Sequence, residues 1–226
     1  MNMTEIIRFM QDGGVFMFPI GIILVVGLAI VVERFVFLGN AKKLNAKAFD
    51  PILNALQKRD YQGAANISKS SESSVARIIN AGLTRMAHSN RREDIESAME
   101  EGVMEAIPRL ERRTGYLATL ANIATLLGLL GTIHGLSSAF SAVANADPSE
   151  KAALLSASIA VAMNATAFGL FTAIPLLLAH SMIQSRTLEI IDSLEMAGVK
   201  CLNIITNAQD SIARQRVADV NNPSKQ

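Results

Sequence analysis

Hydroxyl side chains recur at helical spacing in two uncharged runs of this chain. Thr125 and Thr132 lie in one, and Ser158 and Thr166 lie in the other. Inside a bilayer such a group has no water to fall back on and must find a partner. The chemistry open to it is narrow. It donates one hydrogen bond and accepts others through its oxygen, so it can bond back to its own helix or line a path. His134 follows Thr132 in Gly128-Leu-Leu-Gly131-Thr132-Ile-His134-Gly135 and is the one group of residues 117–144 that titrates. An imidazole, whose unperturbed pKa is about 6.5, can gate or relay a cation. The stretch falls where a membrane-spanning helix is near mid-bilayer. A second stretch, Asn164-Ala-Thr166-Ala-Phe-Gly169, is placed to match it.

Positions three and four apart share a helix face. Thr125, Gly128, Thr132, Gly135 and Ala139 form one row, and Ser158, Ala162, Thr166, Gly169 and Ala173 form another. Two readings stay open. The rows line an ion path or cradle a further helix, or they are packing seams whose small residues let helices approach closely. In the second reading the hydroxyls bond back to their own helix and His134 is a packing residue.

Three stretches without Asp, Glu, Lys or Arg hold these rows and decide the class: 13–32, 114–146 and 152–185. Each is at least as long as the roughly 20 residues that span a bilayer. Half of the 226 residues are apolar, with a mean hydropathy of +0.30. The expected fold is an all-α membrane protein with three transmembrane helices at 13–33, 114–144 and 152–183. The second and third extend into a helical bundle outside the membrane. Residues 1–12 form a short N-terminus, with a surface helix over 3–10. They lack the basic start and small-residue cleavage site of a signal peptide, so the first run stays as an anchor. Tryptophan is absent, and Phe9, Phe16, Phe18, Phe35 and Phe37 bracket the first span instead.

Residues 34–113 carry 14 of the 21 Lys and Arg. The positive-inside rule puts this region, and the C-terminal segment 184–226, in the cytoplasm, with the N-terminus and the turn 145–151 outside. Apolar spacing predicts helices over 45–58, 61–70 and 75–88. It also predicts one starting after Asn90, with Glu93 as its capping-box residue, that runs on into the second span with a bend at Pro108. Residues 184–216 continue the third span as an amphipathic helix (Leu188, Ile191, Leu194, Val199, Leu202, Ile205), with a frayed tail beyond 216. Pro175 is a possible bend within the third span.

Other functions find little support. A net charge of +1 offers no basic surface for nucleic acid. There is no Walker-type glycine loop, no Gly-x-Ser-x-Gly elbow and no Cys/His cluster. His88 has no second ligand nearby, and Cys201 is the only cysteine. No enzyme, metal or bound cofactor is expected. An ion path through a membrane usually needs a carboxylate, and none lies within these spans. Either the chain conducts nothing, or a partner supplies the acid.

Three motifs carry a resemblance to a known family. Gly13-Gly-Val-Phe-Met-Phe-Pro19-Ile with Glu33-Arg34 is one. The second is Arg112-Arg113-Thr-Gly115-Tyr-Leu-Ala118-Thr119-Leu-Ala121 followed by residues 128–135. The third is Ser158-Ile-Ala160-Val-Ala-Met-Asn-Ala165-Thr166-Ala-Phe-Gly169-Leu-Phe-Thr-Ala173-Ile-Pro175. Together they resemble the ExbB/TolQ/MotA inner-membrane channel subunits, closest to the ExbB/TolQ branch. The resemblance implies a homopentameric ring in the bacterial inner membrane. The ring would surround two copies of a single-span ExbD/TolR-like partner whose membrane aspartate is the missing acid. A TonB-like protein is a further possible partner. It implies that Thr132 and Thr166 are the pore hydroxyls and that the transported ion, proton or sodium, drives transport or envelope work at the outer membrane. The sequence departs from the family at Val161, where a glutamate is usual, and at His134, where tryptophan is frequent. The first departure leaves proton and sodium both open. The alternatives are a stator for gliding or motility, and a non-conducting membrane scaffold.

Overall fold

The computed structural model describes residues 14–89, 91–144 and 146–221, with side chains through 207. The N-terminal surface helix, the Asn90 cap and Asn145 of the turn lie outside the described residues. Six helices follow one another, with no strand among the described residues: α1 Met17–Gln57, α2 Tyr61–Ser70, α3 Ser74–Met86, α4 Arg92–Glu111, α5 Thr114–Ala144 and α6 Lys151–Asn221. Three stretches are long and apolar enough to cross a membrane, within α1, within α4–α5 and within α6.

The chain divides into two units. The first holds residues 14–35 and 113–184 and contains the apolar parts of α1, α5 and α6. Its outward surface is greasy: Val25, Leu126, Ile133, Phe171 and Leu178 are all exposed. Hydrocarbon side chains facing outward suit lipid or neighbouring protein chains, where backbone groups must be satisfied within each helix.

The second unit holds residues 36–112 and 185–221. Here the helices show an ordinary amphipathic pattern. Ile52, Leu56, Ile78, Ile79, Ile95, Met99, Leu194 and Leu202 fill its core. Gly102 lets α4 approach α3 closely, since a methyl there would sit 3.2 Å from the Ile78 Cα. The turns are set by capping. The Asp60 carboxylate accepts from the Gly63 N–H at 2.8 Å, and the Ser73 hydroxyl accepts from the Ala76 N–H at 3.2 Å, each satisfying a donor that a helix start leaves open. The buried Asn45 side-chain oxygen reaches across from α1 to accept the Val75 N–H. Lys42 and Glu189 tie α1 to α6 at 2.6 Å. The Lys42 ammonium holds the Glu189 carboxyl below its ordinary range, first through the hydrogen bond and then through its charge. This exposed tie is therefore present at neutral pH and lost on acidification through the carboxylate range.

Several expectations need correction. The helix expected over 45–58 is not separate: it is the end of α1, which runs on from the first span and holds Pro51 inside it. The helix entering the second span does not run through. It stops at Glu111 and restarts at Thr114, and Pro108 lies inside α4. The interruption comes from Arg113, whose φ of 64° is left-handed, a conformation costing about 1–2 kcal/mol for a residue with a Cβ. Its guanidinium bonds Glu33 at 2.6 Å. α4 starts on Arg91 without a side-chain cap, while Ser89 accepts the Arg91 N–H and donates to Asp94. On α6, Leu188 and Val199 face outward, and Ile190, Ala197 and Cys201 take the inner positions. α6 continues through Pro175 and past residue 216.

Ile78→Ala is expected to destabilise the second unit by about 2–5 kcal/mol, read as a lower melting temperature in detergent. Burial pushes the Cys201 thiol up to about 12. Maleimide at about pH 8 should therefore label it only after denaturation, since the thiolate is the nucleophile. Rapid labelling of the native protein would contradict its buried position.

Candidate functional site

α5 and α6 meet along glycines. A methyl on Gly169 would lie 2.7 Å from the Ala124 carbonyl oxygen and 3.1 Å from the Gly128 Cα. One on Gly128 would lie 3.1 Å from the Ala165 carbonyl oxygen and 3.2 Å from the Thr166 Cα. Carbon atoms ordinarily pack at about 3.5–4.0 Å, so only glycine permits this approach. Gly135 lies against Ala162, and Gly131 lies against Ala165 and Phe16. Both helices continue past Phe16. The nine residues of α5 beyond Gly135 add about 14 Å at 1.5 Å per residue.

Within this contact the Thr166 hydroxyl donates to the Gly128 carbonyl oxygen at 2.9 Å, bridging α6 to α5. The glycines make that bridge possible, because a larger residue would hold the two backbones apart. Thr132 lies one turn along α5 from Gly128 and donates to the Leu129 carbonyl at 2.6 Å. Thr125 donates to the Ala121 carbonyl at 3.1 Å. Each hydroxyl has its proton placed on a backbone oxygen and keeps acceptor lone pairs. They can therefore still ligate a cation or accept from a protonated acid.

The seam is turned by one position from the expected row on α5. Ala121, Ala124, Gly128, Gly131 and Ala139 are buried, Thr125 is exposed and Thr132 is half-buried. On α6, Ala162, Gly169 and Ala173 are buried as the row requires, and Ser158 and Thr166 are half-buried. Thr132 and Thr166 thus come to neighbouring turns of one contact, with Thr125 and Ser158 further along their helices.

His134 does not join the threonines. Its ring meets Phe16 edge-on, with centroids 5.5 Å apart and planes at 63°, a favoured aromatic geometry. Phe16 immediately precedes α1, whereas Gly27, eleven residues later, meets Leu176. Residues 128–135 therefore sit at the height where the first span begins, not at its middle. Phe16 was not singled out from sequence as a packing residue. The only signal was a third glycine, Gly131, outside the expected row, whose missing side chain admits both Ala165 and Phe16.

Val161, noted from sequence as a departure, stands exposed. Thr172 is fully buried on α6, and its hydroxyl has no hydrogen-bond partner among the described residues.

Gly169→Ala should cost about 1–3 kcal/mol by overpacking, whereas Gly115→Ala, where a methyl meets nothing within 4 Å, should not destabilise. Melting temperatures of the two variants in detergent measure the contrast, and equal shifts would contradict the seam.

The sequence pattern of the MotA/TolQ/ExbB proton channel family matches residues 70–196, more than half of the chain. An ExbB homolog of Methanothermobacter thermautotrophicus, described as a biopolymer transport protein, is 29% identical over 196 residues, covering 84% of this chain and 67% of its own. The Tol-Pal system protein TolQ of Haemophilus influenzae is 30% identical over 177 residues, 72% of this chain and 75% of its own. The biopolymer transport protein ExbB of Salmonella typhimurium is 32% identical over 120 residues, half of this chain and 49% of its own. With three apolar helices and the glycine-threonine seam, this chain belongs to the MotA/TolQ/ExbB proton channel family, near its ExbB/TolQ branch, and is a multi-pass inner-membrane energy-transduction subunit and not an enzyme.

Proposed function

We propose that the chain is the channel subunit of an ion-driven complex in which a second protein completes the path. The observation that carries this is a mismatch. α5 and α6 present Thr132 and Thr166 beside a close backbone contact, yet residues 114–146 and 152–185 hold no carboxylate. A single-span ExbD/TolR-like helix bearing an aspartate supplies the missing acid. The threonine oxygens, with their own protons held by backbone carbonyls, then face that aspartate as acceptors for a proton or ligands for sodium. A ring of five copies around two such helices provides a closed wall. The exposed apolar side chains of α5 and α6 support burial of this surface against lipid and other chains. The concentration of Lys and Arg in residues 34–113 supports a periplasmic N-terminus and a cytoplasmic C-terminus. The work delivered is transport or envelope maintenance at the outer membrane.

The test is ion flux in liposomes holding the chain with an ExbD-like partner, with proton and sodium gradients imposed separately. Thr132→Val and Thr166→Val should reduce flux to that of liposomes lacking the partner while the complex still assembles. Thr166→Ser keeps a donor for the Gly128 carbonyl and should retain flux. Full activity of both valine variants would overturn the assignment of the path. The scaffold alternative draws on the same hydrogen bonds, since all three threonine hydroxyls are satisfied within the chain. It requires that the unsubstituted complex conduct neither ion.

A further inference from the structure

The second unit carries an acidic groove and, on a different face, its chemical complement. The groove lies between α4 and α6 and encloses about 470 Å³. Met104 and Val199 line it while 67% and 53% exposed, much apolar surface to leave in water. Glu100 and Glu195 also line it, and neither has an ion pair among the described residues. On α1, Lys43, Leu44 and Lys47 share one exposed face. Leu44 is 52% exposed, and the two lysines likewise have no ion pair among the described residues.

We propose that the groove seats this α1 face of a second copy of the chain, a contact that rests on the reading of the protein as a ring-forming subunit. Opposite charge and matching apolar content support that occupant, and height supports it further. Copies related by rotation about an axis along the helices meet at equal heights. Within one copy Lys42 pairs with Glu189. Glu195 lies six residues beyond Glu189, about 9 Å at 1.5 Å per residue, and α1 runs parallel to α6, which brings Lys47 to the height of Glu195. Met104 lines the groove beside Glu195. The other basic row, Arg77 and Arg85 on α3, fits less well, because it already faces Glu101 and Glu105 of its own chain across another groove. Two different faces meeting make a heterologous contact, which propagates from copy to copy and closes as a ring.

The test uses full-length protein in detergent, with Leu44→Cys and Met104→Cys combined and each single variant as a control. Oxidation of the double variant should produce a ladder of cross-linked species ending in a closed ring, and the single variants should not. Adding Glu100→Lys and Glu195→Lys should remove the ladder, and further adding Lys43→Glu and Lys47→Glu should restore it. An oligomer of intact mass without the ladder would overturn this contact and leave the ring standing. A monomeric mass for the unsubstituted protein would overturn both.

Discussion

The backbone contact between Gly128 and Gly169 is the constraint on which the rest of the membrane unit depends. In hydrocarbon there is little hydrophobic gain from pressing two helices together, so association rests on dispersion and hydrogen bonds that need short distances. The glycines supply the distance. Without it the Thr166 hydroxyl does not reach the Gly128 carbonyl. Gly131 and Gly135 extend the approach in one direction, leaving room for Ala165, Ala162 and Phe16. The start of the first span is thus held by the residues that hold the second and third together.

The same contact explains how polar atoms persist in an apolar run. Thr125 and Thr132 place their protons on carbonyls of their own helix, and Thr166 places its proton on the neighbouring one. None leaves a donor unmet, so the packing and conducting readings are compatible at the level of the single chain. What separates them is the unused acceptor capacity of each oxygen, which has value only when an acid or cation approaches. The two runs themselves hold no carboxylate.

Where the chain leaves the apolar unit, its polar residues take on ordinary roles. Arg113 accepts a left-handed backbone and bonds Glu33, which ends one helix and begins the next. Asp60, Ser73 and Asn45 close helix ends by accepting backbone N–H groups. The interior is filled by aliphatic side chains at helical spacing, and the surface left over carries separate acidic and basic faces.

Much of this was legible in the sequence because hydrophobic periodicity and the absence of charge are local properties. Three uncharged runs specify three spans. Tyr61–Ser70 was read to its ends, and Gly128, Gly169, Thr132 and Thr166 stood out because they recur three and four apart on helix faces. What the tertiary structure decided were properties of pairs. The seam on α5 runs through Gly131 and not Thr132, because the rotation of a helix about its axis is set by the neighbour it packs against. His134 meets Phe16, so its height was set by a residue more than a hundred positions away. The break at Arg113 was invisible because a non-glycine left-handed residue is stabilised by its surroundings, here Glu33, and not by its own type. Composition and spacing determined which residues matter, and packing geometry decided which of them meet.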